Sequence, residues 1–371
     1  MLTNMVIEEL INTIESTTKY KILITSGTKE GIDSLLKAKE NFSHSQIDLH
    51  IAYFPFDAPF LMEKAFTRFA PRLAVILETE LWPSFLIVAK KNKVPVFLIN
   101  GRMSDKSAGT YKRFSRFFHT YGPDRIWAIS ELDQGRFSEV MGSGKVELMH
   151  NIKFDRVNPI SDKAPNPKLV ALLPQGKPFI VLGSIRREEE DKILVTIKEL
   201  LAARPDVTIG IFPKHISRAE IWQNRLATEN INSTRRSEIS HAHPANNVII
   251  WDTFGELADS YNLAHATFVG GSLVNLGGQN FLEPLVFGLQ PVIGPYWRNF
   301  GWVGRDIITT GLVTEVANET ALTSALLDRL EQTVDKESIL DQVQHYFEPK
   351  KGGTRFACQK ITKQLHAINN L

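Results

Sequence analysis

The chain has 371 residues, 43% of them hydrophobic and 23% charged. That length exceeds the ~250–300 residues at which one core stops growing, so two domains are expected, and the composition excludes a disordered, collagen-like or disulfide-stapled chain. Lys+Arg number 43 against 41 Asp+Glu, a net charge of +2, which argues against a general nucleic-acid binder.

The N-terminus places Met5, Ile7, Leu10, Ile11 and Ile14 at helical spacing, with Glu8, Glu9 and Glu15 elsewhere. It lacks the basic, then uninterrupted apolar pattern of a signal peptide. No segment reaches the ~18–20 apolar residues of a membrane span. The expectation is a soluble or peripheral protein. One cysteine, Cys358, allows no intramolecular disulfide and no multi-thiolate zinc site, and suits a reducing cytoplasm.

The first half alternates short apolar runs with helical patterns. Strands are predicted at 21–25, 47–53, 73–77, 94–99, 126–129 and 146–148. Helices are predicted at 32–39, 60–69, 82–90 and 112–118. Near-continuous apolar strands alternating with helices indicate one parallel sheet covered on both faces. A proline-rich polar stretch at 158–168 is the best linker. The alternation then restarts, with strands at 179–182, 207–212, 248–250, 266–269 and 291–293. Helices are predicted at 191–203, 218–229, 255–262, 281–287 and 321–331. The fold class is α/β, two doubly wound domains with a ligand cleft at the C-terminal ends of the strands.

Common catalytic and nucleotide motifs are absent: no G-x-G-x-x-G, Walker A, G-x-S-x-G, H-E-x-x-H or D-x-D. His241 and His243 have strand spacing for a metal, but their Pro-flanked context favours a solvated loop. Glu78 and Glu80 end an apolar strand just before Trp82-Pro83. If the strand continues they point the same way, and close carboxylates suit proton handling. Charges complementing a helix N-terminus are the equal alternative. Between Lys90 and Arg116 lie eight cations, including Arg102, Lys112, Arg113 and Arg116, against Asp105 alone. That local +7, interleaved with Phe114, Phe117 and Phe118, favours a patch for an anionic amphiphile over a solvated face.

In the second half, Gly183-Ser184 precedes a helix, a weak anion-site signal. Pro213-Lys214-His215 ends a strand, where a cation can meet phosphate or simply sit in a surface turn. Phe254-Gly255-Glu256 opens a helix. The strongest local pattern is Gly270-Gly271-Ser272 followed by Gly277-Gly278-Gln279-Asn280-Phe281-Leu282-Glu283. Paired glycines allow close ligand approach, Asn280 can cap a helix, and Glu283 can bind paired hydroxyls.

Together these segments resemble the 3-deoxy-D-manno-octulosonic acid (Kdo) transferase family of lipopolysaccharide synthesis, which has the GT-B architecture. The resemblance rests on YFPFDAP (53–59), ETELWP (78–83), NGRMSDKSAGTYKRF (100–114), NIKFD (151–155), GSIRREEE (183–190), PKH (213–215), DTFGEL (252–257), FVGGSL (268–273) and GGQNFLEP (277–284). It implies inverting, metal-independent transfer of Kdo from CMP-Kdo to the lipid A precursor, at the cytoplasmic face of the inner membrane, with no cofactor. It implies catalytic roles for Glu78 and Lys153. It implies CMP binding by Pro213, Lys214, Phe254, Gly255, Glu256, Asn280, Phe281, Leu282 and Glu283. Ser184, Gly271 and Ser272 are further donor-site candidates. Glu80, Arg102, Lys112, Arg113 and Arg116 are candidates for the acceptor.

The domains implied are 1–157 for the acceptor, a linker at 158–168, 169–345 for the CMP-sugar, and a C-terminal helix within 346–371 packing back across them. The family usually has Arg at position 214 and His at 279. Its anchoring helix and the Ser-Val-Gly-Glu segment carrying its general base have no counterpart near Leu2, and Glu8 and Glu9 lie further into the helix. Two other readings therefore stand beside transfer. One is a remnant that binds CMP or acceptor without turnover. The other is a sugar-nucleotide epimerase or hydrolase, against which ETELWP and NIKFD speak.

Overall fold

In a computed structural model of the chain, the described residues are 2–14, 19–40, 42, 47–160, 164–239, 248–332 and 335–369. They form two compact units: Met1–Arg156 with Lys350–Leu371, and Val157–Pro349.

The first unit opens with α1 (Leu2–Thr13), which buries Leu2, Val6, Ile7 and Leu10 on the face its spacing marks. It continues through β1 (Tyr20–Ser26), α2 (Lys29–Lys39), β2 (Ile47–Tyr53), α3 (Pro59–Phe69), β3 (Ala74–Leu77), α4 (Pro83–Lys91) and β4 (Val96–Gly101). Then come α5 (Asp105–Lys112), α6 (Ser115–Tyr121), β5 (Arg125–Ala128), α7 (Glu131–Met141) and β6 (Val146–Leu148). The strands are parallel, in the order β3-β4-β5-β6, with β1-β2 forming a separate pair. The single sheet expected from sequence is thus divided. β4 is buried at every residue, whereas β1 and β2 leave residues half-buried or exposed along their length. They lack the two-sided cover of a central parallel strand.

The helix expected at 112–118 is two helices. Phe114, at φ −112° and ψ 22°, leaves helical geometry between α5 and α6. Ser104 caps α5 by accepting the Ser107 N–H.

The second unit contains α8 (Pro167–Val170), β7 (Phe179–Ile185), α9 (Glu190–Ala203), β8 (Thr208–Pro213), α10 (Ala219–Thr228), β9 (Ser233–Arg235), β10 (Val248–Ile250) and α11 (Leu257–Leu263). It continues with β11 (Ala266–Val269), α12 (Leu282–Leu285), β12 (Val292–Ile293), α13 (Asp306–Thr309), β13 (Thr314–Glu315), α14 (Glu319–Glu331) and α15 (Lys336–Phe347). Its seven parallel strands run β13-β12-β11-β7-β8-β10-β9. The order reverses at β7, which puts a ligand crevice at the C-terminal ends of β7, β8 and β11. Ile180, Leu182, Ile209, Ile211 and Phe268 are fully buried among Trp222 and the flanking helices.

Two expected helices shrink here. Gly255 has φ 91°, outside helical geometry, so α11 starts two residues later. α12 covers only four residues of the expected 281–287. Of the expected linker, 161–163 lie outside the described residues, and Ile160 donates its N–H to the Val286 carbonyl.

α16 (Gly353–Asn369) returns to the first unit. Ala357, Cys358 and Ile361 pack with Leu2, Val6 and Leu10 of α1 and with Phe97, Ile99 and Trp127 of the sheet. No helix among the described residues is long and apolar enough to cross a membrane.

Candidate functional site

In the first unit three strand ends supply the chemistry. β3 stops at Leu77, and Glu78 adopts φ 63°, a left-handed conformation rare for a side chain with a Cβ. Its N–H donates to the Ile99 carbonyl. The strand therefore does not continue, and the expected alternation that would align Glu78 with Glu80 fails. Glu80 is exposed.

In place of a carboxylate pair stands an ion pair. Lys153 Nζ donates to Glu78 Oε1 at 2.8 Å, with side chains 26% and 44% exposed. Lys153 sits on a helical turn, Ile152–Arg156. Asn100, itself left-handed at φ 55° and buried, accepts the Ile152 N–H, and Asn151 accepts the Lys153 N–H. Neither Asn100 nor Asp57 was singled out in the sequence. Asp57 receives the Ser84 and Phe85 N–H groups at 3.1 and 3.0 Å, capping α4 behind Pro83.

The basic stretch does not form one patch. Lys90 pairs with Asp124, whose carboxylate also accepts the Val96 N–H at the start of β4. Arg102 follows the other end of that strand, about 20 Å away at the rise of a parallel strand. The cause is topological: α4 runs antiparallel to the strands, so its C-terminal lysines lie at the opposite end of the sheet. Lys91 pairs with Glu63 and Lys112 with Glu139. Arg113 and Arg116 are exposed. The local +7 counted along the chain is thus divided in space and partly neutralised.

In the second unit, Asn280 Nδ2 donates to Glu283 Oε1 at 2.9 Å, and Asn280 Oδ1 accepts the Leu282 N–H. Burial raises the Glu283 carboxyl above its usual range, opposed by the Asn280 bond and the Lys214 charge. Lys214 is exposed and follows Pro213, the last residue of β8. Phe254, four residues past the end of β10, is 86% exposed. The Glu256 carboxylate is turned inward, held by Arg236 at 2.8 Å through both oxygens and by Trp251 Nε1 at 2.8 Å.

Several expected contact residues have side chains or amides engaged within the unit. Phe281 is fully buried against Trp297 and Phe300, and Leu282 is also in the core. The Ser272 hydroxyl bridges the Val269 carbonyl and the Gly294 N–H. The Gly271 N–H goes to Glu189 Oε1 at 2.6 Å. These groups are occupied because the glycine loop is itself tied to the sheet. Ser184, the penultimate residue of β7, is left-handed at φ 56° and half-buried.

Glu189 is the feature the sequence did not flag. It is fully buried, accepts the Arg186 and Gly271 N–H groups, and its Oε2 has no hydrogen-bond partner among the described residues. Burial raises its carboxyl above the usual range. A Cβ at Gly270 would meet Glu189 Oε1 at 2.5 Å, which explains the glycine there. His241 and His243 lie outside the described residues. Among the described residues no group of three or more His, Cys, Asp or Glu side chains could hold a metal ion.

Residues 4–156 match the family model of 3-deoxy-D-manno-octulosonic-acid transferase (kdotransferase). This chain is related to the Kdo transferases. The 3-deoxy-D-manno-octulosonic acid transferase of Haemophilus influenzae is 30% identical over 286 residues, 76% of this chain and 65% of that protein. A bifunctional glycosyltransferase/methyltransferase of Fusobacterium nucleatum is 26% identical over 372 residues, 98% of this chain and 56% of that protein. The chain thus spans less than two thirds of either relative. The fold is that of GT-B proteins: a glycosyltransferase from Rickettsia africae superposes with a TM-score of 0.61 at 12% identity, covering 97% of this chain and 94% of that one. The Kdo transferase match covers both Glu78 and Lys153.

Proposed function

We propose that the chain transfers Kdo from CMP-Kdo to a lipid A precursor, with inversion and without a metal, at the cytoplasmic face of a bacterial inner membrane. The single observation that carries this reading is the Lys153–Glu78 pair inside the segment that matches the Kdo transferase family. In this reading an acceptor hydroxyl attacks the anomeric carbon of Kdo, the bond from that carbon to the phosphate oxygen breaks as CMP departs, and the hydroxyl proton is released to water. Glu78 acts on the acceptor side. Lys153 offers a fixed ammonium to the negative charge of the donor. Asn280 and Glu283 receive the ribose hydroxyls of CMP. The Lys214 side chain meets its phosphate as a point charge, where an arginine would supply a bidentate fork. Phe254, with its exposed ring, covers the nucleotide.

The test is incubation of the full chain with CMP-Kdo and lipid A precursor. The expected result is a Kdo-lipid product with stoichiometric CMP. No product beside an active control enzyme overturns the reading.

A further inference from the structure

The turn that carries Lys153 is fastened from a distant part of the chain. Asp155 accepts the Gly352 N–H at 2.6 Å on one oxygen and the Thr354 N–H at 2.7 Å on the other. The Thr354 hydroxyl donates to that second oxygen as well. These partners lie 197 and 199 positions along the chain, around the first turn of α16. A Cβ on Gly353 would meet the His150 carbonyl oxygen at 2.1 Å, so the two backbones run in direct contact. α16 is in turn held by the buried Ala357, Cys358 and Ile361.

Asn100 and Asn151 fix the amides of Ile152 and Lys153. Asp155 fixes the far side of the same turn. A lysine reaches its partner through a flexible four-carbon stem, so the position of its ammonium depends on how firmly the base of the stem is held.

We infer that Asp155 is a positioning residue: by tying the 152–156 turn to the start of α16, it holds the Lys153 ammonium on Glu78. The bearing of this clamp on catalysis rests on the transferase reading; the clamp itself does not. The carboxylate is required because three donors converge on its two oxygens. An amide would turn an NH2 group against at least one of them.

The experiment compares the full-length chain with Asp155→Asn, Thr354→Val and Glu78→Gln. Each is trace-acetylated with acetic anhydride at pH 8. Labelling of Lys153 is read by peptide mass spectrometry against Lys198 as internal reference, and melting temperatures are recorded alongside. An amine hydrogen-bonded to a carboxylate attacks the anhydride slowly. Asp155→Asn is expected to raise Lys153 labelling several-fold, towards the level of Glu78→Gln, while Lys198 labelling stays constant. Thr354→Val removes one donor of three and is expected to give a smaller rise. It also serves if Asp155→Asn does not fold.

Lys153 labelling unchanged in folded Asp155→Asn, or in Thr354→Val when Asp155→Asn does not fold, overturns the clamp. Kdo transfer is assayed on the same samples. There the clamp predicts a ~10–100-fold fall in kcat with little change in the KM for CMP-Kdo. A wild-type chain that transfers nothing while Lys153 labelling still responds removes the transferase reading and leaves the clamp standing.

Discussion

Lys153 and Glu78 are 75 positions apart in the chain and meet at 2.8 Å. Neither side chain is placed by regular secondary structure. Glu78 sits one residue past a strand in a left-handed conformation, and Lys153 sits on a single turn pinned by side-chain acceptors.

Glu78→Ala should lower Kdo transfer by about 10²-fold, the scale on which one positioned acid–base or electrostatic group contributes. CMP affinity, measured by calorimetry, should hardly move, because the residues proposed for the nucleotide belong to the other unit. Equal loss of both would assign Glu78 a folding role.

Glu283→Gln should weaken CMP binding roughly tenfold to hundredfold, the range for losing a charged hydrogen-bond acceptor. The carboxyl is raised by burial. On acidification the wild-type chain should therefore lose CMP affinity at pH values above those at which an ordinary Glu titrates. The variant should show no such loss over that range. Calorimetry across pH 4–7 reads both.

Glu189 gives a stability prediction with a definite sign. Its folded-state pKa lies above the unfolded value, so the folded state binds the proton more tightly. The stabilisation from this protonation is fully present below the unfolded pKa and is lost as pH rises through the folded one. Glu189→Gln stays neutral and keeps an acceptor for the Arg186 and Gly271 N–H groups. The melting temperature of the variant minus that of the wild type should therefore increase as pH rises from 4 to 7. A difference that is flat in pH refutes a raised carboxyl.

Asp57→Ala should destabilise the first unit by about 1–2 kcal/mol, because two N–H groups at the start of α4 lose their acceptor. Chemical denaturation of the full chain measures it. A change below a few tenths would mean that water replaces the cap.

Five of the seven strands of the second unit were legible because burial on both faces writes itself as an unbroken apolar run: Val248–Ile250 and Ala266–Val269 are found where the sequence places them, whereas β9 and β13, half-buried throughout, carry no such run. Glu78 was legible as a residue and not as a conformation, since nothing in Glu78-Thr79-Glu80 marks a positive φ. The +7 stretch misled because charges adjacent in sequence, Lys90 to Lys93 and Arg102, are carried to opposite ends of the sheet by a helix and a strand. Asp155 was legible as the last residue of NIKFD and not as a clamp: its partners come from a segment nearly 200 positions away. Phe281 and Leu282 lie in the motif proposed for the nucleotide, and nothing in that motif showed that their side chains are buried, Phe281 against Trp297.

The left-handed backbone at Glu78 has an evolutionary consequence. Glycine adopts that conformation without the roughly 1–2 kcal/mol penalty that a Cβ brings. Glu78→Gly would relieve that strain against glycine's own entropy cost and the loss of the Lys153 ion pair, so selection for thermal tolerance alone sets these terms against one another without weighing the carboxylate. Directed-evolution libraries of this chain should therefore be screened on melting temperature and turnover together, with position 78 read as the marker of which pressure is winning.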